Sequence, residues 1–206
     1  MKEGSFEGFE RRALSATGEL HVGALPAAMS EGLRASFDHL WALHPADYHE
    51  IEIHGRAVKT PRWQQAYGAD YHYTGRVNRA LPVPPGLEPL VAWTRATVDP
   101  RLNGVLLNWY DAAHEHYIGK HRDSTVNMVP GSPIVTISLG ATRTFRLRPW
   151  RAKGTEDFEA AHGTVFVMPF ATNLAWTHEV PHFAKDRGRR ISVTLRAFAT
   201  GASLEA

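Results

Sequence analysis

The sequence predicts an α+β domain, mostly β, in which helices come early and strands come late. Two observations carry this reading. Apolar residues recur at helical spacing in two stretches before residue 100. Five short apolar or alternating runs follow, at 104–110, 133–139, 143–148, 164–168 and 190–198. Gly, Pro, Asn and charged clusters separate those runs, as expected of a sandwich or barrel.

Taken in order, residues 1–20 are mixed and polar without a period, and are expected as an arm. Residues 21–206 are expected as one domain, with helices and a few strands over 21–100 and a β core over 101–200. From Leu25 the pattern turns helical, and Leu33, Phe37, Leu40 and Trp41 share one face. His44-Pro45 ends that helix. His49 to Ile53 reads as a short strand, followed by a turn at His54-Gly55. The aromatic-rich stretch 61–75 reads as a further strand and loop, and 81–86 (LPVPPG) as a stiff connection. Leu87, Leu90, Val91, Thr94 and Val98 mark a second helix. The last run alternates without a break: Ile191, Val193 and Leu195 on one face, Arg190, Ser192, Thr194 and Arg196 on the other.

Composition removes several classes. With no cysteine among 206 residues, disulfides, thiolate metal sites and a cysteine nucleophile are excluded. No apolar run approaches the ~20 residues needed to cross a bilayer, and the charged N-terminus has no apolar signal core. The expectation is a protein with no membrane association, not secreted, cytoplasmic or, in a eukaryote, nuclear. A net charge of +2 is too small to announce a nucleic-acid binder. Basic residues do cluster, at Arg143, Arg146, Arg148, Arg151 and Lys153 and again at Lys185, Arg187, Arg189 and Arg190. A solvated surface and an anion-binding surface both fit these clusters.

His121-Arg-Asp123 would place an imidazole and a carboxylate on one face of a strand. A third ligand has to come from elsewhere, and His178 stands between strand-like runs, 55 residues after Asp123. Two imidazoles and one carboxylate leave open positions on a metal, which suits non-haem iron(II). A zinc hydrolase could use the same three groups, but it leaves the polar face of 190–196 unexplained. Facing inward, Arg190 and Arg196 would grip a dicarboxylate through charge-assisted bonds; facing outward, they would be a solvated edge. Asn108 and Tyr110 likewise share one face and offer an amide and a phenol, unless the tyrosine is core.

These pieces together resemble the AlkB family. The resemblance rests on Asn108-Trp-Tyr110, His116 to Asp123, Pro130 to Ile134, Ser138 to Phe145, His162-Gly-Thr, Trp176-Thr-His178 and Arg190 to Arg196. Their order and spacing match over roughly residues 50–198, and most resemble the animal members that repair alkylated DNA and RNA. The resemblance implies a double-stranded β-helix, of jelly-roll or cupin type, buttressed by N-terminal helices. It implies Fe(2+) held by His121, Asp123 and His178 as the catalytic centre, with O2 and 2-oxoglutarate as co-reactants. It implies 2-oxoglutarate bound by Asn108, Tyr110, Arg190, Ser192, Thr194 and Arg196, with Arg190 on the distal carboxylate and Arg196 near the metal-bound end. The activity implied is oxidative demethylation of N-alkylated nucleobases, with an alkylated nucleic acid as partner and no obligate protein partner, in a monomer.

On the substrate side, Tyr71 and Tyr73 match the family segment that lines the base pocket, and Arg62 is a pocket or backbone contact. Two departures matter. Ser124 stands where the repair members carry a second acid. His54 stands at the apex of a hairpin that carries an apolar wedge in the family. Both favour single strands, or an oxygenase acting on a protein side chain or small metabolite. A non-enzymatic binding protein is a third reading, opposed by the full set of His121, Asp123, His178, Arg190 and Arg196.

Overall fold

The computed structural model describes residues 6–15, 17–53, 55–73 and 76–199, without the side chains of Ile53, Tyr73 and Arg76. The strands of the first half are Glu10–Ala13 (β1), Glu19–Ala24 (β2), Glu50–Ile53 (β3), Arg56–Lys59 (β4), Trp63–Tyr67 (β5), Tyr71–Tyr73 (β6) and Arg76–Asn78 (β7). Those of the second half are Gly104–Asp111 (β8), Ile118–His121 (β9), Ile134–Gly140 (β10), Arg143–Pro149 (β11), Glu156–Ala160 (β12), Thr164–Met168 (β13), Trp176–Val180 (β14) and Arg189–Arg196 (β15). Helices are Ala27–Ala35 (α1), Phe37–Trp41 (α2), Glu88–Thr97 (α3) and Phe170–Ala175 (α4).

Seven strands form one sheet in the order β1-β2-β13-β10-β15-β8-β5, and four form a second in the order β12-β11-β14-β9. Period-2 alternation sorts the side chains of the large sheet between two cores. On its outer face Leu107, Trp109, Ile137, Val165 and Val193 pack against Leu33, Leu40, Trp41, Leu87 and Leu90 from the helices. On its inner face Leu106, Ile134, Phe166 and Met168 meet Phe145, Leu147, Trp176 and Val180 of the small sheet. This is a jelly-roll-like double sheet with helices on one outer face. Each fully buried aliphatic side chain in these layers contributes roughly 1.5–3 kcal/mol. The Trp109 indole N–H also donates to the Leu40 carbonyl at 3.1 Å, tying α2 to the sheet.

Several sequence expectations change here. The single helix from Leu25 to His44 is two, broken at Ser36, whose hydroxyl donates to the Gly32 carbonyl at 2.9 Å. A serine that bonds the preceding turn disturbs a helix interior, while the apolar face expected of the segment still packs on the core. The segment 1–20, expected as an arm, supplies β1 and the start of β2, which joins the large sheet alongside β13. Its signal was hidden because β1 is an edge strand with four exposed residues, and only Leu20 and His21 of β2 are buried. His178, expected between strands, lies within β14.

The basic clusters are neutralised internally in part. Arg146 pairs with Asp157 at 2.5 Å, Arg148 with Glu179 at 2.7 Å and Arg189 with Asp38 at 2.6 Å. Arg143 is buried and donates to the carbonyls of Arg187 and Gly188, fixing the entry to β15. No helix among the described residues is long and apolar enough to cross a membrane.

Candidate active site

Strand register builds the site. Gln64, Asn108, Ser192 and Ser138 lie side by side across β5, β8, β15 and β10. The next inward rows pair Tyr110 with Arg190, and Leu106 with Thr194 and Thr136. Of these, Asn108, Ser192, Tyr110, Arg190, Leu106, Thr194 and Thr136, together with Arg196, line one pocket between the sheets, and His121, Asp123 and His178 line it too. The polar face of β15 therefore looks inward: Arg190 is 0% and Arg196 3% exposed.

His121, Asp123 and His178 each offer a ligand atom, all within 4.8 Å of one another. Nε2 of His121 and Nε2 of His178 stand 3.5 and 3.7 Å from Oδ1 of Asp123. The residues converge by a route the sequence did not show. β9 ends at His121, so Asp123 belongs to the following loop rather than to a shared strand face. Asn173 holds that loop, its Oδ1 accepting from the Asp123 N–H at 2.9 Å and its Nδ2 donating to the Asp123 carbonyl at 3.0 Å. His178 arrives from the small sheet, in register with His121.

The charges suit metal binding. Nδ1 of His121 lies 2.8 Å from the Gly119 carbonyl, an acceptor that orients the ring with Nε2 toward the cluster. Burial, then the neighbouring His121, pushes the His178 imidazole down to about 3, so that ring is neutral at ordinary pH. Burial alone would raise the Asp123 carboxyl, but Arg196, His178 and His121 hold it well below the usual carboxylate range. Arg196 donates from Nε at 3.0 Å and Nη2 at 2.5 Å to Asp123 Oδ2, so Oδ1 is the oxygen turned toward the histidines.

Arg190 is held differently. Its Nε donates to the Ser138 hydroxyl at 2.8 Å, while both terminal nitrogens are buried with no hydrogen-bond acceptor. Burial pushes this guanidinium down to about 10. A buried cation that meets no carboxylate among the described residues is costly, and this one, 5.1 Å over the Tyr110 ring, faces the same pocket as the His–Asp–His cluster. The pocket thus combines a buried guanidinium with a cluster that could hold a metal ion.

The remaining expected residues divide. Arg62 lines the pocket as a buried group, donating to Asn108 Oδ1 at 2.7 Å and Gln64 Oε1 at 3.0 Å. From there it orients the Asn108 amide. Tyr71 is buried in the pocket wall, with the Arg196 guanidinium 4.6 Å from its ring centre. Ser124 lies outside the inner pocket, in a cleft that opens from His121 and Asp123, and its hydroxyl accepts from the Val126 N–H at 3.3 Å. His54 lies outside the described residues, as does the side chain of Tyr73. Sequence reasoning missed Ser138 and Asn173 as supports. Register with Ser192 would have exposed the first, and no local signal marks the second.

A family model described as the 2OG-Fe(II) oxygenase superfamily matches residues 30–196. The human protein named "DNA oxidative demethylase ALKBH2" is 31% identical over 157 residues, covering 71% of this chain and 60% of that protein. The rat protein named "Alpha-ketoglutarate-dependent dioxygenase alkB homolog 3" is 31% identical over 103 residues, 46% of this chain and 35% of that one. Among solved structures, "The structure of OsALKBH1" superposes with a TM-score of 0.55 at 13% identity, covering 91% of this chain and 99% of that chain. The chain thus spans about 60% of the length of the human relative.

Proposed function

The chain belongs to the 2OG-Fe(II) oxygenase superfamily, and within it to the AlkB family, and from that premise we propose that it is an Fe(2+)- and 2-oxoglutarate-dependent dioxygenase that demethylates N-alkylated nucleobases in DNA or RNA, favouring single strands. The observation that carries the proposal is Arg190, buried with two idle donors in the pocket that His121, Asp123 and His178 also line. Activation of water by zinc does not itself require that cation, whereas a dicarboxylate cosubstrate does.

In this reading His121, Asp123 and His178 hold iron(II), since two neutral imidazoles and an ionised carboxylate are its usual donors. Bound with 2-oxoglutarate and O2, the metal supplies oxidation of a C–H bond coupled to decarboxylation to succinate, and a hydroxylated N-methyl group leaves as formaldehyde. The chain supplies position. Arg190 grips the distal carboxylate, with the Tyr110 phenol beside it. Asn108, its carbonyl fixed by Arg62, would offer its NH2 to the cosubstrate. Ser192 and Thr194 complete the polar wall of β15. Arg196 keeps Asp123 ionised and aimed, and Leu106, Ile118 and Val180 exclude water. Tyr71 and Tyr73 are read as the base-pocket wall. The enzyme is read as a monomer without an obligate protein partner, located with its nucleic acid in the cytoplasm or a nucleus.

The test is formaldehyde and succinate release from methylated single-stranded oligonucleotide, dependent on both Fe(2+) and 2-oxoglutarate. Turnover of methylated peptides or small metabolites with none on any oligonucleotide would overturn the nucleobase assignment. That second reading, an oxygenase of a protein side chain or metabolite, draws on Ser124, a neutral hydroxyl already engaged with the Val126 N–H. Installing a carboxylate there, in Ser124→Asp, is expected to shift preference toward cationic methylated bases. Competition between cationic and neutral lesions in one oligonucleotide mixture reads the shift, and an unchanged ratio would remove Ser124 from the substrate pocket.

A further inference from the structure

We propose that Trp150 and the basic groups around it form a stacking platform for the nucleotides flanking the target base in a single-stranded nucleic acid. This rests on the nucleobase reading above and names how the strand is held.

Trp150 follows β11 directly and is 44% exposed. It lines the cleft that also contains His121, Asp123 and Ser124. Val126 and Leu174, 56% and 47% exposed, line the same cleft. Seven large hydrophobic side chains are exposed among the described residues, and three of them gather here. Scattered exposed apolar residues need no explanation, whereas a group beside a reactive centre marks an interaction surface.

The charge around the indole selects the partner. The Arg122 guanidinium stacks 4.3 Å from the Trp150 ring centre, held there by donation from Nη1 to the Leu174 carbonyl at 3.0 Å. Arg151 lies 5.6 Å from the same ring, its backbone in the left-handed region at φ 60°, which a non-glycine residue adopts only at a cost. Lys120 borders the cleft. The neighbouring Arg146 and Arg148 are occupied by carboxylates, but among the described residues Lys120, Arg122 and Arg151 form no ion pair. A flat aromatic surface beside uncompensated cations is the arrangement that binds single strands, with bases on the ring and phosphates on the cations. A base directed toward His121 and Asp123 leaves its neighbours over this cleft.

The platform is tested by fluorescence anisotropy with a labelled unmodified single-stranded oligonucleotide, on the full chain with Fe(2+) and 2-oxoglutarate under anaerobic conditions. Trp150→Ala is expected to weaken binding roughly 5- to 100-fold, and Trp150→Phe by much less, because stacking tolerates a smaller ring. Arg122→Ala and Arg151→Ala are each expected to lower the slope of log affinity against log salt by about one. Thermal melting of each variant, matching the wild type, separates loss of contact from loss of fold. Should the wild-type chain bind the oligonucleotide and Trp150→Ala bind it equally well, the platform is wrong while the nucleobase reading stands. Should the wild-type chain neither bind nor demethylate any oligonucleotide, both fall together.

Discussion

Asp123→Ala is expected to abolish succinate formation, reducing it by more than the roughly 10- to 100-fold that follows loss of a supporting residue around a metal. The carboxylate serves two partners. Oδ1 completes the cluster with His121 and His178, and Oδ2 takes both bonds from Arg196. Its loss removes the anionic donor and leaves two imidazoles, too few to hold iron(II) against water. It also strands Arg196, 3% exposed, without its carboxylate. Breaking one side of a buried ion pair costs on the order of 3–5 kcal/mol, so the variant should also melt earlier. Asp123→Asn keeps shape and one oxygen, and should recover stability better than activity. Anaerobic iron content and succinate yield, measured on both variants, check the prediction. Full turnover by Asp123→Ala would end the metal assignment.

Removing Arg190 is expected to raise the 2-oxoglutarate requirement on the order of 100-fold with a smaller effect on kcat, since each charge-assisted bond contributes about 1.5–3 kcal/mol and two donors are idle. Arg190→Ala reads this directly. Arg190→Lys keeps the charge but not the fork, and should fall between. Arg190→Met gives a sharper result. Without cosubstrate, the buried guanidinium is destabilising, so an apolar side chain of similar length should leave the melting temperature unchanged or higher. Adding 2-oxoglutarate should then raise the melting temperature of the wild type and not that of Arg190→Met. A large destabilisation of Arg190→Met in the absence of cosubstrate would show that the guanidinium is a structural strut instead.

The sequence made much of this site legible because β15 writes its two faces in alternate letters. Ile191, Val193 and Leu195 pack on the outer core, while Arg190, Ser192, Thr194 and Arg196 line the pocket. Asn108 and Tyr110 were legible for the same reason on β8. What stayed hidden depends on non-local pairing. Asp123 reaches His121 through a loop that Asn173 clamps from 50 positions away. That Arg62 bonds Asn108 and Gln64 was likewise hidden, because β-sheet register brings those partners to it. The polar, edge-located β1 carries no apolar alternation and so left residues 1–20 without a readable pattern.

β15 is the last strand of the described chain, yet it is inserted between β10 and β8, in the interior of the large sheet. Both neighbours precede it in sequence, and each pairs with it antiparallel. That strand carries both the Arg196 guanidinium that bonds Asp123 and the Arg190 guanidinium that lines the pocket. Contacts that distant in sequence form slowly. If the chain takes a keto acid as proposed, that capacity depends on a strand whose two neighbours both precede it in sequence.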